Sequence, residues 1–356
     1  MGVKRTFEGH TNSVICVAVL PDGNFVSGSN DRTLRMWNTN TGKTIRTFNN
    51  TFFVSSVAVL PNGNFVTGSY FKVARLWNTN TGEIMRTFEG HTDTVTCVAV
   101  LPDGNFITGS NDDTFRIWNA ITGETIRTFA ENRDPACIAV FKDGNFLSGS
   151  NDGSVHLWNT STGHIRTFEG HKDYVTCVAV LPDGNFVSGS FDKTLRLWNT
   201  KTGETIRIFE GHTNYVRCVA VLPDGNFVSG SFDKTLRLWN TNTGEIIETF
   251  EGHTNAVSCV AVLPDGKFVS GSLDQTLRVW EIIQPTSENY SRKKTTLEEL
   301  RTLPPMGIFP GGIEFQEGEK RFQNAQNNIR KTKQSRKQLK KGRKTRKYAR
   351  RSRSNK

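Results

Sequence analysis

The chain has 356 residues, 35% hydrophobic and 22% charged, enough for one large or two medium domains with a buried core. No apolar run approaches the ~18 residues of a membrane-crossing helix; the longest, Val14 to Leu20 ("VICVAVL"), has strand length. The formal charge of +11 joins two unlike parts, since residues 284–356 carry 21 Lys and Arg against six Glu, which leaves a mildly acidic remainder of 24 basic and 28 acidic side chains.

The opening stretch "MGVKRTFEGH" lacks the apolar core of a secretory signal. It fits the M-G-x-x-x-T acylation pattern through Gly2 and Thr6, but "VKRTF" also reads as a β-strand, a use that argues against a lipid-anchored Gly2. From there one phrase recurs, roughly "IRTFEGHTxxVxCVAVLPDGNFVSGSxDxTLRLWNTxTGE", with Trp37, Trp77, Trp118, Trp158, Trp198, Trp239 and Trp280 spaced 40 or 41 residues apart. Self-similarity at this period predicts a repeat architecture. Within each unit "VxCVAV" is a strand ending at the Leu-Pro-Asp-Gly hairpin signal. "NFVSGS" is a second strand, Asp and the residue after it a tight turn, and "TLRLW" a third. "NTxTG" turns the chain into a fourth strand, "ETIRTF". Four short strands in about 40 residues is the signature of a propeller blade.

These units resemble the WD-repeat family. The resemblance covers residues 3–283 and rests on Gly9-His10, Gly90-His91, Gly170-His171, Gly211-His212 and Gly252-His253, and on the Ser-x-Asp before the tryptophans. The usual Trp-Asp reads Trp-Asn in six units and Trp-Glu in the last; Asn suits a turn about as well as Asp. The fold implied is all-β, a closed seven-bladed propeller of four-stranded antiparallel blades. The array ends three strands into its last unit, so Val3 to Phe7 should complete that blade and remove the exposed edges.

Each full unit holds a His, a Ser and an Asp, the residue types of a nucleophile–base–orienter triad. The resemblance instead implies a buried hydrogen-bonded network with the Trp, formed by His171, Ser190, Asp192 and Trp198 in one unit and His212, Ser231, Asp233 and Trp239 in the next. Recurrence in unit after unit also favours architecture, since an enzyme needs one site. "GNFVSGS" has the spacing of a phosphate-binding loop but lacks its Lys and its helix. Cys16, Cys97, Cys137, Cys177, Cys218 and Cys259 share one small slot, filled by Ser56 in the second unit. Spread around a ring they are too far apart to pair, and free thiols suit a reducing, intracellular compartment. No catalytic residue, metal or cofactor is assigned. The second and fourth units are degenerate: Asn50 and Glu131 replace the His, Phe71 replaces the Asp, and Pro135 interrupts a strand.

Function is then sought where the units differ. One variable position lies between Ser and Asp (Asn30, Tyr70, Asn111, Asn151, Phe191, Phe232, Leu273). The other lies three before the Cys slot (Ser13, Phe53, Thr94, Asp134, Tyr174, Tyr215, Ala256). In the family these positions reach a partner-binding face, so Phe53, Tyr70, Tyr174, Phe191, Tyr215, Phe232 and Leu273 are the candidate anchors for a protein or peptide. Some propellers resembling this one bind ubiquitin there, which makes a ubiquitin-binding adaptor the alternative.

The divisions expected are a propeller over 1–283, a linker over 284–329 and a disordered polybasic tail over 330–356. The linker includes a short helix capped by Thr295 and Glu298. The tail holds 15 Lys and Arg and no acid. Lys337, Lys340, Lys341, Arg343, Lys344, Arg346, Lys347, Arg350 and Arg351 form its densest run. They fit salt-sensitive contacts to nucleic acid, an import receptor or an acidic surface, with the nucleus or nucleolus as the favoured location and the cytoplasm as the alternative. A monomeric ring within a larger complex, with no membrane contact, is the assembly expected.

Overall fold

A computed structural model describes residues 3–50, 52–130 and 135–282. The chain divides into two units, Met1–Ile283 and Gln284–Lys356, and the strands described here belong to the first.

The first five strands set the pattern: β1 (Val3–Phe7), β2 (Val14–Val19), β3 (Phe25–Ser29), β4 (Thr33–Trp37) and β5 (Thr44–Asn49). Strands β2 to β5 form an antiparallel sheet in chain order, and five further sheets of four consecutive strands repeat it. In the seventh, β1 lies beside Leu277–Trp280, with Val3 opposite Trp280 and Phe7 opposite Leu277. The described residues thus form a seven-bladed, all-β propeller whose N-terminal strand completes the last blade, as the repeat predicts. The innermost strand of each blade packs on those of both neighbours, Val257–Val262 closing onto β2.

Local chemistry fixes each turn. After β2, the Leu20 N–H donates to Asn24 O at 2.8 Å while Asp22 Oδ1 accepts from the Asn24 N–H at 2.9 Å. Between β4 and β5, Asn38 Oδ1 accepts from the Asn40 and Thr41 N–H groups at 3.1 and 2.8 Å, so a carboxamide oxygen serves where the family usually places a carboxylate. After β3, Arg32 adopts the left-handed region (φ 66), the conformation that closes the Ser-Asn-Asp-Arg turn.

The blades are joined by side chains that cross between them. Phe7, on the outer strand of blade seven, meets Phe25 and Trp37 of blade one edge to face, at 5.0 and 5.8 Å. The same crossing recurs at Phe48, Phe88, Phe168, Phe209 and Phe250, so the hydrophobic core is a chain of clusters shared by neighbouring blades. Outer-strand arginines add a polar clamp: Arg46 donates to the carbonyls of Asn80 and Thr81, and Arg207 to those of Asn242 and Thr243, in the next blade's turn. The cysteine slot is part of this interlock. A Cβ on Gly189 would lie 2.7 Å from Cys177 Sγ and 2.6 Å from Val216 of the next blade, so thiol, glycine and valine fit only as a set.

Pro135 corrects one expectation. It opens the strand Pro135–Val140 rather than interrupting it, since the first position of a strand tolerates a residue without an N–H. Its carbonyl accepts a 2.6 Å hydrogen bond from Thr96 Oγ1 of the preceding blade.

Candidate functional site

Five blades contain a complete polar tetrad, and its connectivity can be derived atom by atom. In blade five Trp198 Nε1, which can only donate, lies 2.8 Å from Ser188 Oγ. Asp192 Oδ2 lies 2.8 Å from His171 Nδ1, which must therefore carry a proton, and His171 Nε2 lies 2.7 Å from Ser188 Oγ. The order is Trp N–H to Ser O–H to His Nε2, then His Nδ1–H to the Asp carboxylate. Blade six repeats it with His212, Ser229, Asp233 and Trp239 at 2.7, 2.7 and 2.8 Å.

This corrects the serine read from the sequence. Ser190 and Ser231 are not the tetrad members; Ser188 and Ser229 are. Both candidates are fully buried on one strand two residues apart, hence on the same face, and only the reach of the imidazole separates them. Ser190 Oγ instead donates to Asp173 O at 2.9 Å and accepts from the Asp192 N–H at 3.0 Å, pinning the turn. Ser188→Ala would leave the Trp198 N–H and the His171 Nε2 buried without partners, at ~1–3 kcal/mol each, whereas Ser190→Ala loses hydrogen bonds worth ~0.5–1.5 kcal/mol. Urea unfolding should therefore rank Ser188→Ala as the more damaging; the reverse ranking would contradict this connectivity.

The donor order matches that of a hydrolytic triad, but the chemistry differs. Ser188 has no exposed surface, and its oxygen already accepts the Trp198 N–H, so no substrate carbonyl can reach it. Burial works against the ionised Asp192, yet hydrogen bonds from His171, Thr194 and the Lys172 N–H outweigh it and hold the carboxyl far below the usual range. Burial likewise lowers His91, against the pull of Asp112. The six cysteines are free. Burial pushes the Cys177 and Cys259 thiols up to about 12, so they behave as small apolar groups rather than nucleophiles. Cys137 is the one half-buried member.

In blade two Phe71 stands where the Asp would be, and Arg75 donates to Asn50 Oδ1 in place of the tetrad link. The Asn50 Nδ2 is buried with no hydrogen-bond partner among the described residues. Trp77 still donates to Thr67 Oγ1 at 2.9 Å and Trp158 of blade four to Ser148 Oγ at 2.9 Å, so the Trp–hydroxyl half of the tetrad survives without the His.

The two variable positions turn out to be neighbours. The Phe191 N–H donates to Tyr174 O and the Phe232 N–H to Tyr215 O, each at 2.9 Å, and Leu273 does the same to Ala256 at 3.0 Å. With Asn30 on Ser13, Tyr70 on Phe53 and Asn111 on Thr94 paired in the same way, six blades offer among the described residues a two-residue platform at the entry of the innermost strand. In blades five and six the platforms merge into one row: Tyr174 stacks on Phe191 at 5.6 Å, Phe191 on Tyr215 of the next blade at 4.4 Å, and Tyr215 meets Phe232 at 6.0 Å. Tyr174 and Tyr215 remain 49% and 38% exposed, while Phe191 and Phe232 are half-buried beneath them. Packing between blades and exposure to solvent are therefore properties of the same rings.

Blade two holds a second aromatic group. Phe53 and Tyr70 meet at 6.2 Å with Arg32 over Phe53, and Phe71 stacks on Phe52 at 4.2 Å with Arg75 over Phe52. Phe52 was not singled out from the sequence and Phe71 only as a lost Asp. Their departure from the repeat at two loop positions was the available signal. Leu273 lies half-buried in blade seven, apart from both groups in sequence. Asp134, Glu131 and the basic run from Lys337 to Arg351 lie outside the described residues. Among the described residues no helix is long and apolar enough to cross a membrane.

With this geometry in place, the comparison is direct. The profile described as "WD domain, G-beta repeat" matches seven times, at residues 2–38, 42–78, 82–119, 123–159, 163–199, 203–240 and 244–281. Comparison with curated proteins returned no match.

Proposed function

The chain belongs to the WD-repeat family, whose propellers generally serve as protein-interaction scaffolds, and from that premise we propose that this ring is a docking platform that binds a protein or peptide through the aromatic row of blades five and six. The observation that carries the reading is the row itself, four rings in sequence across two blades with both tyrosines exposed. A soluble surface rarely groups large rings without a partner to cover them. Aromatic anchors in a preformed surface are the usual hot spots of an interface, and rings already stacked lose little freedom on binding. The basic run at 330–356 would add contacts of another kind, to nucleic acid, an import receptor or an acidic surface, and supports a nuclear location.

The test is capture of a partner by the full chain, identified by mass spectrometry and compared among variants. Tyr215→Ala or Phe232→Ala should cut the retained partner about tenfold or more, the ~1.4 kcal/mol expected of a hot spot. The control is Ile121→Asn on the opposite face, where Ile121 is 85% exposed and blades one and two carry Asn40 and Asn80. Loss with Ile121→Asn and retention with the ring variants would move the site to that face. Ubiquitin as the captured protein would select the adaptor reading.

A further inference from the structure

We propose that the partner seated on the aromatic row is an acidic segment of another protein, its Asp or Glu side chains held by Arg217, Lys193 and Lys234. This gives the chemistry of the partner in the docking reading above and rests on that reading.

All three cations border the row. Lys193 and Lys234 stand two residues beyond Phe191 and Phe232, in turns that their N–H groups close on Ser190 O and Ser231 O at 3.2 and 3.1 Å. The turn itself does not demand a cation, because Asp113 and Gln275 hold the same left-handed conformation in blades three and seven. Arg217 stands two residues beyond Tyr215, on the innermost strand Val216–Val221. Its counterparts are Ile15, Ser55, Thr96, Ala136, Thr176 and Ser258. Thr96, Thr176 and Ser258 each donate at 2.6 Å to a carbonyl of the next blade's innermost strand, at Pro135, Val216 and Val14. Among the described residues Arg217 makes no such bridge, and its side chain is exposed. Its charge acts on the buried thiols of Cys137, Cys177, Cys218 and Cys259, so the guanidinium reaches toward the axis that these four blades surround.

The neighbouring acids leave these charges open. Asp192 and Asp233 turn inward, accepting from His171 and Thr194 and from His212 and Thr235. Asp173 Oδ1 accepts from the Tyr174 N–H at 2.8 Å, and the neutral Asn214 does the same for Tyr215. Glu169 and Glu210 follow the outermost strands, Gly163–Phe168 and Thr205–Phe209, three strand spacings or about 14 Å from the innermost. Among the described residues none of the three cations makes an ion pair.

Rings beside cations also suit a nucleic-acid strand, but base stacking needs open ring faces. Phe191 lies nearly parallel to Tyr174 and Tyr215, at 19° and 17°, one on each side, so its faces are taken. The ring edges left over carry the positive rim of the aromatic quadrupole, which favours a carboxylate.

The test selects a display library of random dodecapeptides on the immobilised full-length protein and on Tyr215→Ala. All variants keep residues 330–356, so peptides drawn by that basic run bind them equally and drop out of the comparison. Peptides that need Tyr215 should be enriched in Asp and Glu beside an apolar residue. A synthetic copy of one should bind about tenfold more weakly to the triple variant Lys193→Gln/Lys234→Gln/Arg217→Ser, and its affinity for wild type should fall with added salt. The triple variant installs the residues blade seven uses at those positions, Gln275 and Ser258, and a thermal melt matching wild type verifies its fold. Tyr215-dependent peptides without acidic enrichment, or equal binding to the triple variant, overturn the acidic partner and leave the docking reading standing. A library that yields no Tyr215-dependent peptide overturns both.

Discussion

A chain lacking residues 1–7 is expected to fail to form a stable ring, although the deletion removes only one short strand. Phe7 is 1% exposed and packs on Phe25 and Trp37 of blade one while its backbone completes blade seven. Losing that ring alone costs ~3–5 kcal/mol. The deletion also strips the hydrogen-bonded partner from Leu277–Trp280 and exposes a fresh sheet edge. Against a total stability of ~5–15 kcal/mol, these losses are decisive. Urea unfolding and gel filtration check it: the truncated chain should unfold at much lower urea or aggregate. An unchanged midpoint would mean that the closure contributes little. Phe7→Ala, which keeps the strand, should fall between the two.

Acid should unfold the ring through the tetrads. Hydrogen bonds from the tetrad His and the following Thr outweigh burial and hold Asp31, Asp192, Asp233 and Asp274 far below their ordinary range; Asp112 is lowered in the same way. A carboxyl whose folded pKa is depressed stabilises the fold above its unfolded value, about 3.9, and loses that contribution as pH falls through the folded value. His91, lowered by burial, acts in the same direction from about pH 6.5 downward, because the unfolded chain takes up the proton more readily. The urea midpoint should be level above pH 7, decline slightly toward pH 5 and fall steeply below pH 4, where five blades lose their links together. A midpoint that stays constant from pH 7 to pH 3 would contradict this assignment of the carboxylates.

The fold was almost fully legible because the chain states it seven times. Periodic strands, turn residues and the missing fourth strand at the end of the array each point to the ring, and the closure by Val3–Phe7 follows from counting strands. What the sequence could not settle is three-dimensional. Ser188 and Ser190 differ only in which one the His171 ring reaches. Pro135 looks like a breaker until its place at a strand's first residue is known. The two variable columns are 17 residues apart in blade five, and only the ladder shows Phe191 bonded to Tyr174. Whether Phe191 was packed or exposed had no answer in those terms, since it lies beneath Tyr215 of the next blade.

The central claim is that the recurring letters build the ring while the departing letters bind. It is tested most directly by measuring melting temperature and partner capture side by side on Ser188→Ala and Tyr215→Ala. Ser188→Ala should melt several degrees lower and still capture the partner at a temperature where it is folded. Tyr215→Ala gives up one inter-blade stack of ~0.5–1.5 kcal/mol, so it should melt within a few degrees of wild type and lose the partner. If Tyr215→Ala instead melts as low as Ser188→Ala and captures as well as wild type, the row is a packing element and the account of function fails.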